Sequence, residues 1–165
     1  MDKILGTRGG KVPGPYRFSL HCPEITEVWA PLGETMRLHS SFPPRLQEFV
    51  IIITARHWDC NYVFHSHFGH AVKDGLPAAA VDAMRRGDRP SLDKEDEAVF
   101  YAYCTELLEQ HKVSDQTYER AQALFGIPGV VELTALIGYY SMVCMTVIAH
   151  QMPVSSEAMP LIKKS

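Results

Sequence analysis

The sequence predicts an all-α fold, and three observations carry that reading. Apolar residues recur at steps of three and four along most of the chain, prolines and capping residues stand where helices would begin, and no segment keeps the period-two alternation of a half-buried strand. Residues 1–22 are punctuated by Gly6, Gly9, Gly10, Pro13, Gly14 and Pro15, too densely for a regular element, and read as an extended arm. From Pro23 to Ser40, the residues Ile25, Val28, Trp29, Leu32, Met36 and His39 fall at the spacing of one helical face. Ser41 followed by Pro43 and Pro44 reads as a cap with prolines in the first turn of a second helix, which runs through Glu48 and the isoleucines 51–53 to about His57. The β-branched run also suits a strand, but its flanks favour a helix.

A third helix covers Cys60 to Lys73 and stops at Gly75. Pro77 to Arg86 forms a short alanine-rich helix, and Asp93 to Lys112 carries a stripe of Ala98, Tyr101, Ala102, Thr105 and Leu108. Ser114 and Asp115 cap a helix over Gln116–Phe125. The last helix has Pro128 in its first turn, spans roughly Val130 to Gln151 and ends at Pro153. The expected organisation is an arm over 1–22, a helical domain over 23–153 and a tail over 154–165.

Composition bounds the function. With 165 residues, 46% of them hydrophobic, and a net charge of -3, the chain reads as one soluble domain. A chain of about 150 residues buries roughly 68–70% of its unfolded surface, enough for a core without disulfides. Charged residues make up 21%, below the usual level of about 25%, which points to surface buried between subunits. No basic patch offers a footprint for nucleic acid or anionic lipid, so neither is expected as a partner. The seventeen uncharged residues from Leu133 to Ala149 approach the length of a membrane span. Thr134, Ser141 and Thr146 within them, and the lack of adjacent Lys or Arg, favour a helix buried in the core or an interface. Cys22, Cys60, Cys104 and Cys144 show no paired spacing, and the N-terminal residues lack the apolar core of a signal peptide, so a reducing cytoplasm is the expected setting.

The densest polar cluster runs from Arg56 to His70. His65 and His67 would converge on a strand, but two residues along a helix is about 200° of rotation, so their rings diverge. Only His67 and His70 share a face, and two ligands do not hold zinc; no metal and no cofactor are expected. Glu48 lies among Leu46, Phe49 and Val50, where burial would raise its pKa toward neutrality, and beside His67 it would make a proton relay or a purely structural hydrogen bond. Cys60 stands at the first turn of a helix, where the dipole favours a thiolate; it is either a nucleophile or a small buried hydrophobe.

The pattern Pro43-Pro44-Arg45-Leu46-x-Glu48, then Ala55-Arg56-His57-Trp58, Tyr62, His67, Ala71 and Gly75-Leu76, resembles the carboxymuconolactone decarboxylase-like family, which also contains the alkylhydroperoxidase D-type proteins. Val113-Ser114-Asp115-x-x-Tyr118 and Glu132-Leu133-x-x-Leu136-Ile137-Gly138-Tyr139-Tyr140 extend the likeness over roughly residues 23–153. The resemblance implies an all-α antiparallel helical bundle assembled as homotrimers or hexamers. In the peroxidase branch a Glu is followed twelve and fifteen residues later by the cysteines of a Cys-x-x-Cys, and nineteen later by a His. Cys60 and His67 stand twelve and nineteen residues after Glu48, but Val63 occupies the position of the second cysteine. None of Cys22, Cys104 or Cys144 is local to Cys60, so a resolving thiol would have to be one of these brought near by the fold.

That departure favours the decarboxylase branch, which retains only the Glu and the His. Loss of carbon dioxide from a conjugated lactone acid needs an anion-stabilising donor, a proton source and a dry pocket. The expected roles are His67 as acid, Glu48 as its orienting partner, and Arg56, Trp58, Tyr62, Phe64 and His65 as the lining that holds a small carboxylated lactone. The alternatives are a thiol peroxidase using Cys60, with a small external thiol as resolver, and a non-catalytic helical oligomer.

Overall fold

Seven helices are present among the described residues, 14–156 and 158–162 of this computed structural model: α1 (Gly14–Ser19), α2 (Pro23–Leu38), α3 (Pro44–His57), α4 (Asn61–Lys73), α5 (Ala78–Arg86), α6 (Glu95–Gln110) and α7 (Asp115–Ala149). No strand occurs among those residues, as the periodicity predicts.

Helix α3 is the axis of the fold. Every side chain from Glu48 to Arg56 is buried, and α4, α5, α6 and α7 all pack against it. Surrounding neighbours explain why three consecutive isoleucines sit in a helix. Their intrinsic helix penalty is a few tenths of a kcal/mol each, whereas burying each side chain contributes about 1.5–3 kcal/mol. Pro43, in extended conformation at φ -60° and ψ 150°, is the N-cap residue. Ser41 does not cap α3 as the sequence led us to expect. Its backbone N–H and hydroxyl both donate to the Glu132 carboxylate, which ties the α2–α3 turn to α7.

Helix α7 holds its axis only in two pieces. Gly126, at φ 66° and ψ 173°, breaks it into segments 115–125 and 127–149, with Pro128 in the first turn of the second. That backbone region is essentially closed to residues bearing a Cβ. The two helices read from the sequence are therefore the two that form. The second segment, uncharged from Leu133 onward, contributes Leu133, Leu136, Ile137, Tyr140, Cys144 and Val147 to the core. Near the break, Phe42, Phe100 and Phe125 stack edge to face, with centroids 4.8–5.6 Å apart, and join the α2–α3 turn, α6 and α7.

Two expectations are corrected at the termini and on α2. The extended arm expected over 1–22 gives way to helix α1 over Gly14–Ser19, because Tyr16 is buried against Trp29 of α2 at 5.3 Å; residues 1–13 lie outside the described residues. Only part of the apolar stripe of α2, Trp29 and Met36, packs on the core. Ile25, Val28 and Leu32 are 53%, 68% and 43% exposed, while Thr26, Trp29 and Gly33 turn inward. The C-terminal segment is fixed to the bundle: the Leu161 N–H donates to Asn61 Oδ1 at 2.7 Å and the Ile162 N–H to the Arg85 carbonyl at 3.1 Å.

The α3–α6 contact is held by Arg45, whose guanidinium donates to Asp96 at 2.6 Å and to Glu97. The Glu97 side chain is only 2% exposed, with Lys94 at 3.5 Å as its other cation. Arg45→Ala therefore leaves a buried carboxylate without its main partner. We expect a loss of about 3 kcal/mol, read as a lower urea midpoint with unchanged slope, and a loss below about 1 kcal/mol would show that Lys94 alone suffices.

Candidate functional site

Helices α3 and α4 run side by side, and the nineteen-residue spacing brings Glu48 and His67 together. His67 Nδ1 lies 2.7 Å from Glu48 Oε2, and Arg37 of α2 donates to Glu48 Oε1 at 3.0 Å. A carboxylate only accepts, so His67 carries its proton on Nδ1 and keeps Nε2 for acid–base exchange. Arg37 also donates to the Tyr140 hydroxyl at 3.3 Å, and the Tyr140 ring stands edge-on to His67 at 5.8 Å. Burial pushes the Tyr140 hydroxyl up, so it stays protonated.

The Glu48 carboxyl is where the electrostatic expectation fails. Burial does oppose its ionisation, and it is the largest single influence. The hydrogen bond and charge of His67, with Arg37 and His70, outweigh burial and hold Glu48 below the usual carboxylate range. Glu48 is a fixed anion that orients and charges its neighbours, not a group poised near neutrality.

His67, Arg37 and Tyr140 line one wall of a cleft of about 580 Å³, together with Tyr16, Tyr62, His70 and Tyr139, with Glu48 buried behind them. The Tyr16 and Tyr139 hydroxyls share a hydrogen bond at 2.7 Å, and a Cβ on Gly33 would overlap both, so only glycine lets α2 approach this closely.

Cys60 is the N-cap residue of α4 and is 1% exposed. The amides of Tyr62 and Val63 face its sulfur without closing a capping bond, and across from it stands the thiol of Cys144 on α7. The Cys60 and Cys144 thiols stand within hydrogen-bonding reach of one another. Their hydrogen bond is the largest influence holding Cys60 below its ordinary range; burial opposes it, and the two amides reinforce it. The same bond and burial push Cys144 up. Of the three cysteines remote in sequence, Cys144 is the one the fold brings near Cys60: eighty-four residues of chain separate the two, and the packing of α7 against the bundle closes the gap. Cys104, by contrast, is fully buried and pushed up by burial alone.

The other expected site residues divide. Tyr62 lines the cleft with His67. Arg56 points away, into a small hollow with Ile53, His57 and Tyr101, and pairs with Asp59 at 3.2 Å. Trp58 packs on the core and stands edge-on to His57 at 5.5 Å. Phe64 and His65 border a separate surface hollow with Phe68 and Lys73. Helical rotation explains this split, because α4 positions 62, 63, 66, 67 and 70 share the cleft face and 64, 65 and 68 do not. Arg37 and Tyr140 were not singled out from sequence. The available signal for Arg37 was the four-residue step Trp29, Gly33, Arg37 on α2, hidden beneath the more apolar outward stripe.

No protein-family model matches the chain, and no curated protein sequence matches it significantly. Solved structures do match. A protein of unknown function from Agrobacterium tumefaciens, provisionally named as the antioxidant defence protein AhpD, superposes with a TM-score of 0.68 at 16% identity, covering 85% of this chain and 97% of that one. An uncharacterised peroxidase-related protein from Silicibacter sp. TM1040 gives 0.76 at 12% identity, covering 98% of this chain and 86% of that one. At these identities the likeness is one of fold: the all-α architecture is that of AhpD-like and peroxidase-related structures.

The depressed Glu48 carboxyl makes a prediction with a definite sign. A carboxyl lowered in the folded state adds stability above its unfolded value, near 4.5, and that stability is lost as pH falls through the folded value. Glu48→Gln is expected to cost on the order of 2 kcal/mol at pH 7, less than a fully buried pair because Arg37 is 34% exposed. The gap between wild type and variant should close as pH drops below about 4.5 in denaturant titrations; a gap independent of pH would contradict the assignment.

Proposed function

We propose that the protein is a thiol-dependent hydroperoxide reductase of the AhpD-like type, with Cys60 as the nucleophile. The observation that carries this reading is the seat of Cys60: a sulfur at the N-terminus of α4, facing two backbone amides and a second thiol, and held toward the thiolate. In the first step the Cys60 thiolate attacks a peroxide oxygen. The S–O bond forms, the O–O bond breaks, and the departing alkoxide takes up a proton to leave as an alcohol. Cys60 is left as a sulfenic acid; one external thiol displaces its oxygen as water to form a mixed disulfide, and a second releases the Cys60 thiol and leaves with the first as a disulfide.

Glu48 and His67 supply the proton traffic. His67 is seven residues beyond Cys60, about 10 Å along the helix, on the cleft side. The pair therefore serves the reaction through the cleft and not by touching the sulfur. Arg37 keeps Glu48 ionised, and Glu48 keeps the exchangeable nitrogen of His67 turned outward. The AhpD-like fold supports the same reading.

One observation favours a second reading, a cofactor-free decarboxylase-like lyase. The Glu48–His67 pair opens on a cleft whose walls carry Arg37 and four tyrosines, a setting suited to a small carboxylated lactone, while Cys60 is 1% exposed. The exposed stripes Ile25, Val28, Leu32 on α2 and Ile127, Val131 on α7 support a homo-oligomer, and a trimer or hexamer is expected by light scattering.

Two variants separate the enzymatic readings. In a peroxidase, Cys60→Ser abolishes hydroperoxide consumption and His67→Gln slows it by about 10²-fold, with both chains folded. Turnover of a carboxylated lactone, followed in the ultraviolet, that survives Cys60→Ser but not His67→Gln would replace this assignment by the lyase.

A further inference from the structure

Cys60 and Cys144 occupy one place in the fold for reasons of geometry. Two cross-contacts set the relation of α4 to α7: His67 meets the ring of Tyr140, and Cys60 meets the thiol of Cys144. The second contact lies seven residues back along α4 and four residues on along α7. Val63, one turn after Cys60, and Val143, the neighbour of Cys144, both line the cleft. The thiol pair therefore sits beside residues of the cleft wall, both cysteines belong to the buried core, and the Glu48–His67 mechanism leaves Cys144 without a role.

We propose that Cys60 and Cys144 are a redox pair that closes a reversible disulfide between the first turn of α4 and α7, with Cys144 acting as the resolving thiol. The resolving role rests on the peroxidase reading above; the pairing itself does not. After Cys60 has become a sulfenic acid, the Cys144 sulfur attacks the Cys60 sulfur. The S–S bond forms, the S–O bond breaks, and the hydroxyl leaves with the Cys144 proton as water. The sulfurs have to close from hydrogen-bonding reach to about 2.05 Å. An external dithiol then reduces the bond by two electrons and becomes a disulfide itself, restoring both thiols.

Two consequences follow for the chemistry. The resolving thiol is recruited from the last helix and not from the helix of the nucleophile, so the oxidised protein is cross-linked across the core. Cys60 is also protected from over-oxidation, because its sulfenic acid has a thiol beside it before a second peroxide arrives.

The test uses the full reduced chain, treated separately with the thiol oxidant diamide and with stoichiometric hydrogen peroxide, then alkylated in denaturant and mapped without reduction. The expected product of both is a Cys60–Cys144 cross-linked peptide lighter by two hydrogen atoms, reversed by dithiothreitol and still formed in Cys104→Ser. In Cys144→Ala and Cys144→Ser, peroxide is expected to stop at a Cys60 sulfenic acid trapped by dimedone. A Cys60 sulfenic acid in the wild type with no cross-link overturns the pair while leaving the peroxidase reading standing. A cross-link with diamide but no reaction with peroxide keeps the pair and removes the peroxidase reading. Failure of both oxidants, or links scattered over Cys22 and Cys104, overturns the pair.

Discussion

The buried carboxylate of Glu48 is the constraint around which the rest of the site is arranged. An anion that is 3% exposed in the middle of an apolar helix carries a desolvation cost of several kcal/mol unless partners reach it. Its own helix offers none. Arg37 has to come from α2 and His67 from α4, so satisfying one side chain docks three helices and leaves a cleft between them. The close approach of α2 at Gly33 and the tyrosine pair Tyr16–Tyr139 are consequences of that docking. Such an arrangement adds little net stability, but it selects one tautomer and one orientation of the histidine.

The cysteines show how helix ends change the same chemistry. Cys104 lies in the middle of α6, with its amides committed to helical hydrogen bonds and only apolar neighbours, and burial makes it inert. Cys60 is just as deeply buried but caps α4, so amides and a second thiol address its sulfur. Burial at a helix N-terminus and burial within a helix act in opposite directions on a thiol. The counterpart at Cys144 reaches the same point through α7, whose second segment is aimed by the break at Gly126.

Much of this was legible locally. Helix starts at Pro44 and Pro128, the stop at Gly75 and the periodic stripes are set by neighbours within a few residues, and the helices lie where those signals place them. The spacing of Glu48 and His67 was readable for the same reason, since two helices joined by a short turn bring fixed positions together. The errors have a common cause. On α2 Ile25, Val28 and Leu32 of the apolar stripe face outward, because the inward face meets tyrosines and a carboxylate that only the fold supplies. Arg56, Trp58, Phe64 and His65 were grouped with the site by their nearness in sequence, and helical rotation turned them away.

The sequence by itself determined the all-α class, the order of the helices and the pairing of Glu48 with His67, because each depends on periodicity, caps and a short connection. The tertiary structure alone decided the ionisation of Glu48, the membership of Arg37 and Tyr140, and the meeting of Cys60 with Cys144. Those depend on side chains brought together from remote parts of the chain, where hydrogen bonds and charges at a few ångströms outweigh burial, and no local pattern encodes such distances.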